Sequence, residues 1–265
     1  MGKKRVGIAV YGLMSSTRIK KKPIQMLCGR EMIAHQIDRL KTAKIPEVII
    51  LCTSNLPRDR VLIELAEREN IEVFAGPEDD LLARLLQAAE EYGVDYITTS
   101  SADNPLTCAE HIDVSIKHII ENDLDYVDGE GVLPIGIYVK VVKISALNLA
   151  YQIKDETDTS FYSAYFTKTE GLFRTGKIKA LPWVKNIDYR LTVDTPKDFE
   201  LATRIFEKLY HSGEIFPISE ALIYLQQNPE IRNINSQVQQ IPNHVFPFKL
   251  KKEFEKYLSK SYCNA

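Results

Sequence analysis

Apolar positions follow two rhythms along this chain. Short β-branched runs, of the kind that form buried strands, fall at residues 5–11, 48–53, 72–75 and 96–100. Between them the apolar spacing widens to three or four residues. In "EDDLLARLLQAAEEYG" the residues Leu81, Leu82, Leu85, Leu86 and Ala89 form one stripe, acids stand at its start and Gly93 at its end, which predicts a helix. A further helix is predicted over 110–121 and a strand over 125–128. Strand and helix alternating in this way predict an α/β fold, with a parallel sheet covered by helices on both faces.

Residues 129–186 break the rhythm with "GEGVLPIGIYVKVVKI", the aromatic-rich "FYSAYF" and two short β-like pieces around Leu172 and Ile178. They read as a middle insertion, placed to cover a site or to pair with another subunit. The helical spacing of Phe161, Tyr162, Tyr165 and Phe166 favours buried packing or a subunit contact over base stacking. "YRLTVDTPKDFELATRIFEKLY" then predicts a strand followed by a helix, with Thr195 as N-cap, Pro196 at the first helical position and Asp198 completing a capping box. One more helix and a turn are expected at 217–234. The organisation expected is one domain over 1–240, with its insertion, and a tail over 241–265 that carries an amphipathic stretch at 248–258.

Composition narrows the function classes. With 45% hydrophobic residues in 265, the chain can fill a sizeable core. A formal net charge of −2 gives no bulk attraction to nucleic acid or anionic membrane, so any basic function is local, and the densest locality is residues 18–22. No apolar run approaches the roughly 18 residues of a membrane span, and the start lacks the apolar stretch of a signal peptide. Cys28, Cys52, Cys108 and Cys263 are scattered, without metal-site spacing or a disulfide framework, which fits a reducing cytoplasm. The histidines at 35, 111, 118, 211 and 244 stand singly, which favours surface or cap roles over catalysis.

The basic locality follows the first predicted strand, in "GLMSSTRIKKKPI". Neither GxGxxG nor GxxxxGK[ST] is present, and Gly12 is the single glycine between residues 8 and 28. A phosphate cradle here would use side chains as well as backbone: hydroxyls from Ser15, Ser16 and Thr17, the planar fork of Arg18, and point charges from Lys20 to Lys22. On charge alone the stretch reads equally as a solvated loop. Asp103, in "SADNPL", and Asp194, in "LTVDTP", both follow predicted strands, at the sheet edge where α/β proteins bind ligands. Turn chemistry accounts for Asp103 and helix capping for Asp194 when each is taken alone. Together with the basic loop they make a plausible site for a magnesium-bound nucleoside triphosphate.

These segments, with "IAHQIDRLKTAKIPEVIILCTS", "VFAGPEDDLLARLLQAAEEYGVDYI" and "EHID", resemble the cytidylyltransferases that activate acidic sugars, and most of all the spore-coat-polysaccharide type. The resemblance covers nearly all of the first 235 residues. It implies a three-layer, mixed but mostly parallel seven-stranded sheet of the nucleotide-diphospho-sugar transferase type. It also implies CTP and Mg2+, transfer of CMP to a small sugar acid or related acceptor with release of pyrophosphate, and a homodimer formed through the middle segment. By position, Gly12, Ser15, Ser16, Arg18 and Lys22 would cradle the triphosphate, Arg18, Lys22 and Asp103 would be catalytic, and Asp103 and Asp194 would hold the metal. Glu78, Asp79, Asp80 and Arg84 match a further family block, read as helix capping with an internal ion pair. The chain departs from the pattern at Leu13, where relatives carry arginine, at Thr98, Thr99 and Ala102, at Phe161, near which a histidine is expected, and at Lys140, where relatives tend to carry an acid. Lys140, Lys143, Arg174 and Lys185 are cations available to an acidic acceptor. The competing expectation is a nucleotide-binding or sugar-nucleotide-binding protein that has lost catalysis. Ala102-Asp103-Asn104 in place of a DxD element argues against a glycosyltransferase.

Overall fold

The first apolar run becomes a central strand because both of its faces find partners. In the computed structural model, which describes residues 3–178, 180–185, 188–241 and 245–260, β1 (Val6–Tyr11) is flanked by two parallel neighbours. Val6, Ile8 and Val10 are buried on one side and Ala9 on the other, as the two-residue strand period requires. A tight hairpin, β2 (Met26–Leu27) and β3 (Arg30–Glu31), leads into α1 (Met32–Leu40). Then β4 (Val48–Ser54), α2 (Arg60–Arg68), β5 (Glu72–Gly76), α3 (Leu81–Glu91), β6 (Tyr96–Ser101) and α4 (Ala109–Glu121) alternate as the apolar rhythm predicts. Asp80 caps α3 by accepting from Ala83 N at 3.1 Å.

The later strands join the same sheet. β7 (Tyr126–Asp128) and β8 (Lys140–Lys143) are followed by α5 (Ile144–Ile153), the short α6 (Ala164–Thr167) and β9 (Thr175–Lys177). The order across the seven-stranded sheet is β5-β4-β1-β6-β8-β7-β9, with β8 antiparallel to both of its neighbours and every other pairing parallel. β9 forms between Leu172 and Ile178, so the two predicted pieces are one strand. Two apolar clusters sandwich the sheet. One takes α1, α2, α4, α7 (Pro196–Leu209) and α8 (Ile218–Gln227), and the other takes α3, α5 and the aromatic residues Tyr162, Tyr165 and Phe166. Phe166 stacks on Tyr126 with centroids 4.7 Å apart, so most of the aromatic group packs as core. A last turn of helix, α9 (Pro229–Arg232), follows α8.

Two expectations differ from the structure. Residues 190–193 form no strand: Arg190 makes one isolated bridge to Ile135, Leu191 N donates to Ile135 O at 2.8 Å, the chain bends at Thr192, and Val193 N donates to Asp103 O at 2.9 Å. The apolar alternation arises because Leu191 and Val193 are buried while the backbone is pinned by two separate loops. Gly136, at φ 103°, allows this approach, since a Cβ there would lie 2.3 Å from the Leu191 carbonyl carbon. Second, His35 and His111 are buried rather than superficial. His35 Nε2 lies 2.8 Å from Leu27 O, and its ring packs between Phe206 and Tyr210. His244 and Cys263 lie outside the described residues. The capping box at Thr195 and Asp198 forms as predicted, and residues 245–260 run along α5 and α6, with Leu250 buried.

Candidate active site

β1 and β6 lie side by side in parallel, Tyr11 opposite Ser101, so the chain leaves both strands at the same edge. Ala102 N donates to Tyr11 O at 2.9 Å, and a Cβ on Gly12 would stand 2.5 Å from the Ala102 Cβ. Gly12 is therefore required by the closeness of the two strand ends, which is a packing reason for the one glycine in the loop. Beyond it Met14 N donates to Asp59 at 2.6 Å, and Asp59 is itself buried and bound by the Ser54 hydroxyl. Lys21 then adopts the left-handed conformation at φ 53°, and Pro23 sits in a 3-10 turn over Lys22–Ile24. That reversal returns the Lys22 side chain to the cleft while Lys20 and Lys21 stay exposed.

Lys22 is where the separate sequence signals meet. Its ammonium donates to Asp103 Oδ2 at 2.6 Å and to Asp194 Oδ1 at 3.1 Å, and all three side chains are between 12% and 16% exposed. Arg18 donates to the same Asp194 oxygen at 2.8 Å, and Arg190 to Asp194 Oδ2 at 2.8 Å. Burial alone would raise the Asp194 carboxyl, but Lys22 and Arg18 outweigh it and hold it below the usual range. Burial pulls Lys22 down, and the two carboxylates more than reverse this, leaving its ammonium more firmly protonated than usual. Asp194 is positioned from below by Asp198, fully buried, which accepts from Arg190 Nε at 3.0 Å, Asn235 Nδ2 at 2.8 Å and the backbone N of Asp194 at 3.1 Å.

The cleft has two lobes. The first, about 400 Å3, is lined by the 12–18 loop with Lys22, Arg84 and Ala102; Ser15 is exposed on it and Ser16 half-buried. The second, about 280 Å3, lies on the Asp194 side, beneath Thr99, Tyr138 and Lys140. Tyr11, Arg18, Ser101, Asp103 and Ser160 line both, so Arg18 and Asp103 mark the boundary. All seven site residues named from the sequence are thus at one edge of the sheet, with Lys22, Arg18, Asp103 and Asp194 in direct contact. In the 78–84 block, Asp80 caps α3 and pairs with Lys154 at 2.6 Å, whereas Arg84 donates to the carbonyls of Pro77 and Glu78 and reaches the first lobe.

Sequence reading missed Arg190, Asn235 and Gln36, and it gave Asp198 as a helix cap without its part in holding Asp194. Gln36 donates to Ser100 Oγ at 2.8 Å and to Ser101 O at 2.9 Å, which fixes the end of β6 against α1. The available signal was a polar residue on the apolar face of an amphipathic helix; for Arg190 it was the four-residue spacing to Asp194. Among the described residues no group of three or more His, Cys, Asp and Glu is gathered to hold a metal. Asp103 and Asp194 fit a hard cation all the same, because they already converge on one positive group and offer only oxygen. Such an ion would complete its shell with phosphate and water.

A mostly parallel sheet with a basic loop and two carboxylates gathered beside the ends of its central strands, and a two-lobed cleft there, has the layout of a nucleotidyltransferase. Residues 14–235 match the family model described as cytidylyltransferase. An uncharacterized protein of Methanocaldococcus jannaschii, MJ1063, is 31% identical over 238 residues, covering 89% of this chain and 96% of that protein. The spore coat polysaccharide biosynthesis protein SpsF of Bacillus subtilis is 24% identical over 234 residues, covering 83% of this chain and 94% of that one. The structure of a cytidylyltransferase from Leptospira borgpetersenii superposes with a TM-score of 0.79 at 22% identity, over 91% of this chain and 100% of that one. The chain belongs to the cytidylyltransferase family. Among the described residues no helix is long and apolar enough to cross a membrane.

Proposed function

We propose that the protein is a magnesium-dependent, CTP-using cytidylyltransferase that transfers CMP to a sugar acid or related acceptor in surface polysaccharide or glycoconjugate synthesis. The reading rests on one observation above the rest: Lys22, in the first lobe, is shared by Asp103, which lines both lobes, and Asp194, which lines the second. The nucleotide takes the first lobe, with Gly12, Ser15 and Ser16 beside its phosphates, and the acceptor takes the second. An acceptor oxygen attacks the α-phosphorus in line, the bond to the β-phosphate breaks, pyrophosphate leaves and the hydroxyl proton passes to water. Such a step asks for alignment and charge neutralisation rather than a protein nucleophile. Arg18 and Lys22 offset the charge growing on pyrophosphate, and Asp103 and Asp194 would hold Mg2+, which supplies further neutralisation of the phosphates when bound. A homodimer and a cytoplasmic location complete the proposal.

A thermal-shift panel of CTP, UTP, GTP and ATP, each with and without Mg2+, tests it. The expected result is magnesium-dependent stabilisation by CTP above the other three; equal response to all four, or to none, overturns it. Leu13 favours a second reading, binding without turnover, because it lines the nucleotide lobe and brings no charge. Stabilisation by CTP with no pyrophosphate release across a broad acceptor panel would select that reading.

A further inference from the structure

A separate cavity of about 550 Å3 lies between α1, α7 and the 210–216 loop that follows α7, and it shares no lining residue with either lobe of the cleft. Its volume falls in the range of small-molecule sites, roughly 300–1,000 Å3. Phe206 of its wall and Asp198, which holds Asp194, stand about 12 Å apart along α7, so the cavity and the cleft lie toward opposite ends of that helix.

Arg30, Lys41 and Arg39 line it, and they are not equally satisfied. Arg30 donates to Asp38 at 2.8 and 2.9 Å and to Glu69 at 2.6 Å, and Lys41 lies 3.8 Å from the same Glu69 oxygen. Arg39 is 5% exposed and forms no ion pair among the described residues. Its Nη1 donates to Phe216 O at 2.9 Å, and its guanidinium carbon stands 4.2 Å from the Phe216 ring centroid. A guanidinium has five N–H donors, and among the described residues Arg39 spends only that one. The acids of the lining are already held or lie in water: Asp38 is taken by Arg30, and Glu214 is exposed. Burial pulls the Arg39 pKa down to about 10, and Cys108 and Asp38 offset this only in part. A cation withdrawn from water without a counter-ion is costly, and an anion entering the cavity relieves that cost. Beside Arg39 the wall is apolar, with Tyr210 half-buried and Ile215 43% exposed, so a ligand with an apolar body would cover carbon as well as pair charge.

We infer that this cavity is a second ligand site, taking a small organic anion, a carboxylate or a phosphate monoester, whose charged end pairs with Arg39 and whose apolar body lies on Tyr210 and Ile215. The site stands on this geometry alone and is independent of the reading of the cleft.

Calorimetric titration of the full chain tests this, using benzoate against benzamide, phenyl phosphate against phenol, and inorganic phosphate as an anion without a ring. At least one ring-bearing anion should bind about ten- to a hundredfold tighter than its neutral counterpart. Preference in the first pair assigns a carboxylate, and preference in the second a phosphate. Arg39→Met should abolish the preference and Arg39→Lys keep part of it, while Ile215→Ser should weaken the ring-bearing anion without removing its advantage. Circular dichroism confirms that each variant is folded. The 12–22 loop is also basic, so hydrogen exchange of the wild-type protein locates the bound anion without any substitution, with protection expected at 210–216. Protection confined to 12–22, a preference that survives in Arg39→Met, or no binding of either ring-bearing anion overturns the inference.

Discussion

Replacing Lys22 with methionine removes the group that, among the described residues, is shared by both site carboxylates. The two ion pairs, at 2.6 and 3.1 Å, join side chains that are at most 16% exposed, so solvent screens them little. Deleting one partner of a buried pair costs about 3–5 kcal/mol. Asp194 keeps Arg18 and Arg190, which places the expected loss for Lys22→Met near the low end, about 3 kcal/mol. The loss should depend on pH. Asp194 has a folded pKa below its unfolded value, so its contribution is full above about pH 4 and fades as pH falls through the folded value. Lys22 has a folded pKa above its unfolded value, so its contribution is full below about pH 10 and fades as pH rises through the folded value. The stability difference between wild type and Lys22→Met, read from urea unfolding across this range, should therefore be flat in the middle and close at both ends. A difference that widens on acidification, or none at pH 7, would refute the shared-cation geometry.

Other consequences can be measured separately. Gly12→Ala should destabilise the protein by about 1–3 kcal/mol through the clash with the Ala102 Cβ, and Ala102→Gly should relieve most of that loss in a double-mutant cycle read by urea unfolding. His111 is buried with neither ring nitrogen bonded among the described residues, and burial drives its pKa down to about 3. The unfolded chain takes up this proton below about pH 6.5, so the native state loses stability there, and His111→Leu should gain on wild type by about 2 kcal/mol between pH 7 and pH 5. Equal urea midpoints shifts for both proteins over that interval would contradict the neutral, buried assignment.

Much of the fold was legible because the sheet is buried on both faces. β1 and β4 must then be short, largely apolar runs, β6 keeps a β-branched stretch at residues 97–99, and the helices between them must each show one stripe. The same logic misled at residues 190–193, where burial of Leu191 and Val193 reproduces strand alternation although the backbone bonds go to two loops. The place of β8, antiparallel between β6 and β7, depends on contacts far apart in sequence, and no local pattern carries it. In the site, residues next to strand ends were found because a strand end implies an edge: Asp103 and the 12–22 loop are of this kind. Arg190, Asp198 and Asn235 act by holding Asp194, and their significance exists only once α7 and the segment after α9 are folded together. Lys140 was noticed in sequence as a departure; its place across from Asp128 in the wall of the second lobe was visible only in three dimensions.

Pyrophosphate release from CTP in the presence of Mg2+ and a panel of sugar acids, compared between wild type and Asp103→Ala, bears most directly on the proposed chemistry. The predicted result is turnover by wild type with at least one acceptor and a fall of about a thousandfold or more in the variant, the scale on which transition-state charge stabilisation is lost. Near-normal pyrophosphate release by Asp103→Ala would contradict the role given to this carboxylate and to the cleft it shares with Lys22 and Asp194.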